Sequence, residues 1–390
     1  EQDFGTHGAI TANLRAFTND RNGLYGEACP VSGHETLIRW QSYLCKLTDK
    51  DGNLLYEDAA GKTPAVYDRL MTSGAVKGGF SMTNGVTLYK ANGESYAADQ
   101  PIKVEMLKNY TMPRDDAVTV PARDVTLTTA KTDMTENPAY TTGDVYVYNK
   151  GSVTDAEDAR ATITRGYNGK GPDETNGSNG LFQVSDDSAV FTTTNIILDG
   201  MNGTDGYIGR AIQVNNKGTL NLYSGTVIKN FKNNGTGGAA YVDEDGTLEI
   251  KDCRIQDCVS TDRGGAIFLA AGATATASGM VITGHTDVTD TTANAVNGGA
   301  IFISKKASFA ITGGEIVNCT ASGNGGAIYA NSSATEPSTV SITGVNFTND
   351  AAKTGGAVST ELGGRLTVKE ATFTNCTSVS NGGEIVNCTA

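Results

Sequence analysis

The sequence predicts an all-β chain: a right-handed parallel β-helix (a β-solenoid) preceded by an N-terminal capping domain of mixed structure. Three observations predict it. Gly-Gly-Ala recurs at 237–239, 264–266, 298–300, 325–327 and 355–357, with Gly-Gly-Glu at 382–384, and the second glycines stand 27, 34, 27, 30 and 27 residues apart. Ten residues after that glycine comes an alternating pentad (GTLEI, ATATA, ASFAI, GRLTV), and in one repeat the insert NSSATEPS delays it (STVSI) to fourteen. Seven residues beyond the pentad centres Leu248, Ala275, Phe309, Val340 and Leu366 stand Ile255, Ile282, Ile316, Phe347 and Phe373.

Each repeat therefore carries three short strands at fixed offsets, and its length varies only in turns. Such a unit cannot bury its own apolar face. Stacking the units about 4.8 Å apart pairs the strands in parallel and builds one continuous core. Within a pentad, Leu248 and Ile250 point one way and Thr247 and Glu249 the other, which is strand periodicity with one buried face. The Gly-Gly pairs suit corners that need φ > 0. Two residues past the third strand's apolar position come Asp257, Asn318, Asn349 and Asn375. They are expected to form a turn whose side chains ladder up the stack.

Earlier rungs are less regular. GRAIQV, GTLNL and GTVIKN (209–230) make one, and LFQV with NIILDG (181–200) another. VTVPARDVTLTTA (118–130), DVYVYN (144–149) and ATITRG (161–166) read as the opening rungs. Residues 1–100 do not fit the repeat and are expected to cap or head the coil, because an open coil end exposes core and strand edges. There TLIRWQSYLCKL (36–47) fits helix or strand, DKDGNLL (49–55) a turn, and PAVYDRLMTSG (64–74) a short helix. The coil is expected over 101–390 and to continue or dock beyond 390, since GGEIVNCTA at 382–390 copies 313–321 and stops mid-rung. The chain opens at Glu1 without an initiator Met, as a processed exported chain would.

Composition narrows the function. Of 390 residues 48 are Gly, and 43 acidic against 30 basic residues give a formal charge of −13. Gly and Thr are poor helix formers, so a helical bundle is not expected. A chain this acidic is not expected to bind nucleic acid or anionic membrane, and no apolar run is long enough to span a bilayer. Seven cysteines leave an odd thiol. Cys29 with Cys45 is a candidate disulfide, and Cys388 a candidate intermolecular link. No Cys/His cluster has zinc-ligand spacing.

Catalysis on such a coil would need paired carboxylates or a carboxylate cluster with a base. Outward acids are expected at Asp115, Asp116, Asp186, Asp187, Asp243, Glu244, Asp245, Glu249, Asp252 and Asp257, but DEDG (243–246) is itself a turn sequence. His285 alone among the three histidines lies in the repeats, and a structural or merely exposed role fits it best. DKDGN (49–53) imitates the start of a calcium loop, yet reads better as a plain turn. No catalytic residue, cofactor or metal site is therefore assigned. One Thr-x-Thr pair, Thr274 with Thr276, is too little for an ice-binding face. The column Tyr241, Phe268, Phe302 and Tyr329 is a candidate ligand stripe if it faces out and a core stack if it faces in, and Ile267, Ile301 and Ile328 compete for the inside.

The GGAI[FY] repeats with a following x[IF]xN strand resemble the β-helical passenger regions of bacterial surface adhesins, including chlamydial polymorphic outer-membrane proteins. LCKLTDKDGNLLYED, VTLTTA, ITRG and IILDG resemble repetitive surface proteins of gut-dwelling Gram-positive anaerobes. The resemblance implies an extracellular, cell-surface adhesin or structural fibre. The candidate surface for contact with a host protein or glycan is the set of inserts 166–180, 201–208, 286–297 and 331–338 together with the N-terminal region. It carries over no catalytic residue. A self-assembling filament subunit, stacked end to end, and a polysaccharide lyase or glycoside hydrolase are the alternatives.

Overall fold

The computed structural model describes residues 43–72, 76–83, 87–130, 160–167, 180–201, 208–284 and 296–387. It is a parallel β-helix. The first strands of successive repeats form a nine-stranded sheet, the second strands belong to an eleven-stranded sheet, and the third strands form another nine-stranded sheet. One rung shows the plan: Ile267–Leu269, Thr274–Ser278 and Val281–Thr283. Each pairs in register with the next rung, Ile267 on Ile301, Ala275 on Phe309 and Ile282 on Ile316.

Alternation places the core. Leu248, Ile250, Phe309, Ile311, Val340 and Ile342 point inward and are buried, while the residues between them face solvent. Ile255, Ile282, Ile316 and Phe347 supply the third wall of one continuous apolar interior.

The two glycines of each corner have different reasons. Gly264 holds φ +61°, which an L side chain rarely adopts. Gly265 has no such φ; a Cβ there would sit 2.2 Å from the carbonyl oxygen of Gly299 in the next rung. The expectation of φ > 0 thus covers the first glycine only. The second is there because backbones of neighbouring rungs touch.

The first parallel strand of the coil is Ile102–Met106, pairing with Asp124–Thr129. Its other edge is taken by Cys45–Thr48, which lies antiparallel with Cys45 opposite Met106. From the same N-terminal segment the 3₁₀ turn Gly79–Thr83 sends Phe80 against the core, its ring 5.9 Å from Phe182 and 6.0 Å from Phe191. Residues 64–72 form no helix. Val66–Tyr67 is a short strand on Cys45–Lys46, and bends follow. Pairing with a strand edge there outweighs local helix propensity. DVYVYN (144–149) lies outside the described residues.

Candidate functional site

Asp116 joins the N-terminal segment to the coil. It ends the 3₁₀ turn Arg114–Asp116 and is fully buried, which corrects the outward position expected of it. Oδ1 accepts from Met71 N at 2.7 Å and Arg69 Nε at 3.1 Å, and Oδ2 accepts from Leu70 N at 3.0 Å and the Tyr110 hydroxyl at 2.6 Å. The turn rotates the side chain out of strand alternation and toward donors 45 residues or more away, apart from Tyr110. Beside this joint lies a cleft of about 510 Å³ lined by Met71, Phe80, Ser81, Asp99, Pro121 and Asp186 among others. Among the described residues no Lys or Arg lines it. The Asp186 carboxylate accepts from both the hydroxyl and the N–H of Ser188, and these bonds hold it below the usual carboxylate range.

The aromatic column is neither an exposed stripe nor part of the main core. Tyr241 stacks on Phe268 with ring centroids 5.2 Å apart and planes 4° apart, and Phe268 stacks on Phe302 at 5.2 Å and 9°. Tyr329 follows at 5.4 Å, tilted. Phe268, Phe302 and Tyr329 are buried in a cluster of their own, and Tyr241 is half-buried against it. Ile267, Ile301 and Ile328 take the inside, so the rings lie on the opposite side of their strands. Ring faces are spent on one another, which leaves no open face for a sugar. Arg210 closes the column, its guanidinium 4.6 Å from the Tyr241 ring centre, and Arg263 lies 5.3 Å from the Phe302 ring. At the far end the Tyr329 hydroxyl donates to Glu361.

The turn column is a ladder of side-chain amides. Asn349 Nδ2 donates to Asn318 Oδ1 at 3.1 Å, and Asn375 Nδ2 to Asn349 Oδ1 at 3.3 Å. Asp257, Asn318, Asn349 and Asn375 all hold φ between +49° and +57°, the left-handed region that Asn and Asp tolerate best. Asn230 holds φ +60° at the same position one rung before Asp257, and its Nδ2 donates at 3.0 Å to Asp199 Oδ1, one residue short of the column in the rung before.

Of the outward acids in the 243–252 group, Asp243, Asp245, Glu249 and Asp252 each have partners of their own. Glu249 meets Lys251 Nζ at 2.6 Å and accepts from the Tyr223 hydroxyl at 2.5 Å. The lysine bond first, then the tyrosine bond, hold the Glu249 carboxyl below its usual range. Asp243 accepts from the Tyr241 hydroxyl, Asp245 pairs with Lys217 at 3.5 Å, and Asp252 accepts from the Ser224 hydroxyl. In DKDGN both Asp49 oxygens are engaged by Asp51 N, Asn53 N and Asn53 Nδ2, each at 2.9 Å, as a turn requires. Among the described residues no cluster of three or more His, Cys, Asp or Glu could hold a metal.

Cys45, Cys253, Cys258, Cys319 and Cys376 are buried free thiols. Burial pushes the thiols of Cys45 and Cys253 up, and that of Cys258 to about 12. Such thiols are poor nucleophiles. Cys29, Cys388 and His285 lie outside the described residues, as do most of the inserts 166–180, 201–208 and 286–297. The insert at 331–338 packs on its neighbour, with Glu336 2.8 Å from Lys306 Nζ.

Sequence reasoning missed three buried arginines, Arg123, Arg165 and Arg210. Arg165 is 0% and Arg210 3% exposed, and Arg165 Nη2 donates to the Arg210 carbonyl oxygen. Burial lowers both guanidinium values to about 10. The only signal was an Arg beside a Gly in ITRG and again in GRAI. Gly209 explains it: a Cβ there would lie 2.9 Å from the Arg165 guanidinium.

No known protein-family model, curated protein sequence or solved structure matches the chain.

Proposed function

We propose that the chain is a non-enzymatic surface module, an adhesin or structural element, whose rigid coil presents an outward face and its inserts to a host protein or glycan. Its place is outside the cell, at the cell surface. One observation carries this reading. Over three successive rungs the outward positions of the second-strand sheet are Thr274, Thr276 and Ser278, then Ser308, Ala310 and Thr312, then Thr339, Ser341 and Thr343. Eight of these nine positions carry a hydroxyl and none is charged, on a chain that is otherwise strongly acidic. Glu249 and Lys251 bound it on one side, Arg365 and Lys369 on the other. A pleated surface of short side chains offers donors and acceptors at fixed spacing with little entropy left to lose on contact.

The alternatives have less support. A glycan-cleaving enzyme needs an acid held protonated, and Glu249 is shifted the other way. Head-to-tail filaments need a bare first rung, and Cys45–Thr48 lies antiparallel across it. Binding of the labelled chain to arrays of glycans and extracellular glycoproteins tests the reading. Saturable binding that weakens in Thr276→Glu and Ser341→Glu is expected. Absence of binding across both arrays, or binding indifferent to both changes, would overturn it.

A further inference from the structure

The residue after the turn-ladder position is Phe231, Cys258, Cys319, Asp350 and Cys376, all buried, in the rungs where it is described; His285, in the rung between Cys258 and Cys319, lies outside the described residues. Asp350 is the one carboxyl in that column, and it is 0% exposed. Its Oδ1 accepts the backbone N–H of Cys319 at 2.8 Å, while Oδ2 has no hydrogen-bond partner among the described residues. The groups facing it are the Cys319 thiol from the rung before and the Cys376 thiol from the rung after. Glu384 lies near Cys376, and Lys353, on the strand that Asp350 leads into, is exposed. None of these supplies a positive charge to a buried carboxylate. An unpaired ion there is costly, whereas the protonated acid keeps the Cys319 bond and carries no charge.

Asp350 is also where a fourth side of the coil is attached. Thr377 N donates to its carbonyl oxygen at 2.9 Å, and Ala351 N donates to the Cys319 carbonyl at 2.9 Å. From here run the paired strands Ala351–Thr354 and Thr377–Asn381, the second of them largely exposed. A groove of about 390 Å³ lies over them, lined by Thr320, Ala352, Lys353 and Val379 among others, with Val379 89% exposed.

We propose that Asp350 is a proton-controlled latch: as the neutral acid it holds the strands Ala351–Thr354 and Thr377–Asn381 to the coil, and loss of its proton to solvent releases them. Burial pushes its pKa up to about 8 from the ordinary 3.8. The opened form ionises near the ordinary value, so the closed form binds the extra proton between these limits. Opening is therefore hardest below pH 4, becomes easier by about tenfold per pH unit as pH rises toward 8, and levels off above. Both facing thiols are themselves pushed up by burial and stay neutral across that window.

Hydrogen exchange of the whole chain between pH 5 and 9, corrected for intrinsic rates, tests this. Peptides covering 351–354 and 377–381 should lose protection by about tenfold per unit up to pH 8, while Thr274–Ser278 does not follow. In Asp350→Asn the slope should vanish. Should that variant not fold, Asp350→Cys restores the residue type found in neighbouring rungs and should also be flat. A wild-type chain without the slope, or the same slope in either variant, would overturn the latch.

Discussion

The Asp116 carboxylate, wholly buried, meets the Arg69 guanidinium at 3.1 Å across the joint between the N-terminal segment and the coil. Two backbone N–H groups and a tyrosine hydroxyl complete the same carboxylate. Removing one side of such a network leaves the other buried and unpaired, which costs about 3–5 kcal/mol. Asp116→Ala should lose that much in denaturant titration and become sensitive to protease within residues 64–83. A loss under about 1 kcal/mol would mean the joint is incidental.

The aromatic column is predicted to hold the coil rather than a ligand. Phe302 is 1% exposed between Phe268 and Tyr329. Phe302→Ala should destabilise by about 3–5 kcal/mol, as expected for a buried ring. Tyr241→Ala, at the half-buried end, should cost clearly less. Equal small costs for both would show that the stack contributes little.

At Asn349 backbone and side chain separate cleanly. Its φ is +55° and its amide both donates and accepts within the ladder. Asn349→Gly keeps the backbone free and loses only the amide bonds, about 0.5–1.5 kcal/mol each. Asn349→Ala adds a left-handed penalty of roughly 1–2 kcal/mol. Thermal unfolding should therefore rank Asn above Gly above Ala, and an Ala variant as stable as Gly would contradict the left-handed turn.

Two glycines should answer alanine differently. Gly313 has φ +62° and open space around the missing Cβ, so Gly313→Ala should cost roughly 1–2 kcal/mol. At Gly265 the added carbon would meet a backbone oxygen at 2.2 Å, and the rungs would have to part. Gly265→Ala should cost several times more and disturb pairing of strand 267–269 with 301–303 in hydrogen exchange. A reversed order would refute the close rung-to-rung contact.

What was legible in the sequence was what repeats. Fixed offsets from Gly-Gly to Leu248 and on to Ile255 recur down the chain, so stacking alone accounts for them. The Asn column was legible for the same reason. The aromatic column was half legible: period-two alternation puts Phe268 opposite Ile267, but says nothing about the separate cluster that buries it. The joint was not legible. Asp116, Phe80 and Arg69 meet partners far along the chain, and nothing local marks such contacts. Arg165 and Arg210 were missed because charged residues are expected outside, and only the bare Gly209 lets a guanidinium lie flat on the backbone.

The coil is proposed to bind and not to cleave. The most direct measurement incubates the purified chain with each array ligand it retains and follows the ligand by chromatography. Full recovery of intact ligand is expected, the same with Glu249→Gln and Asp252→Asn as with the wild-type chain. A product that accumulates with time and is lost in either variant would contradict it and make the outward acids catalytic.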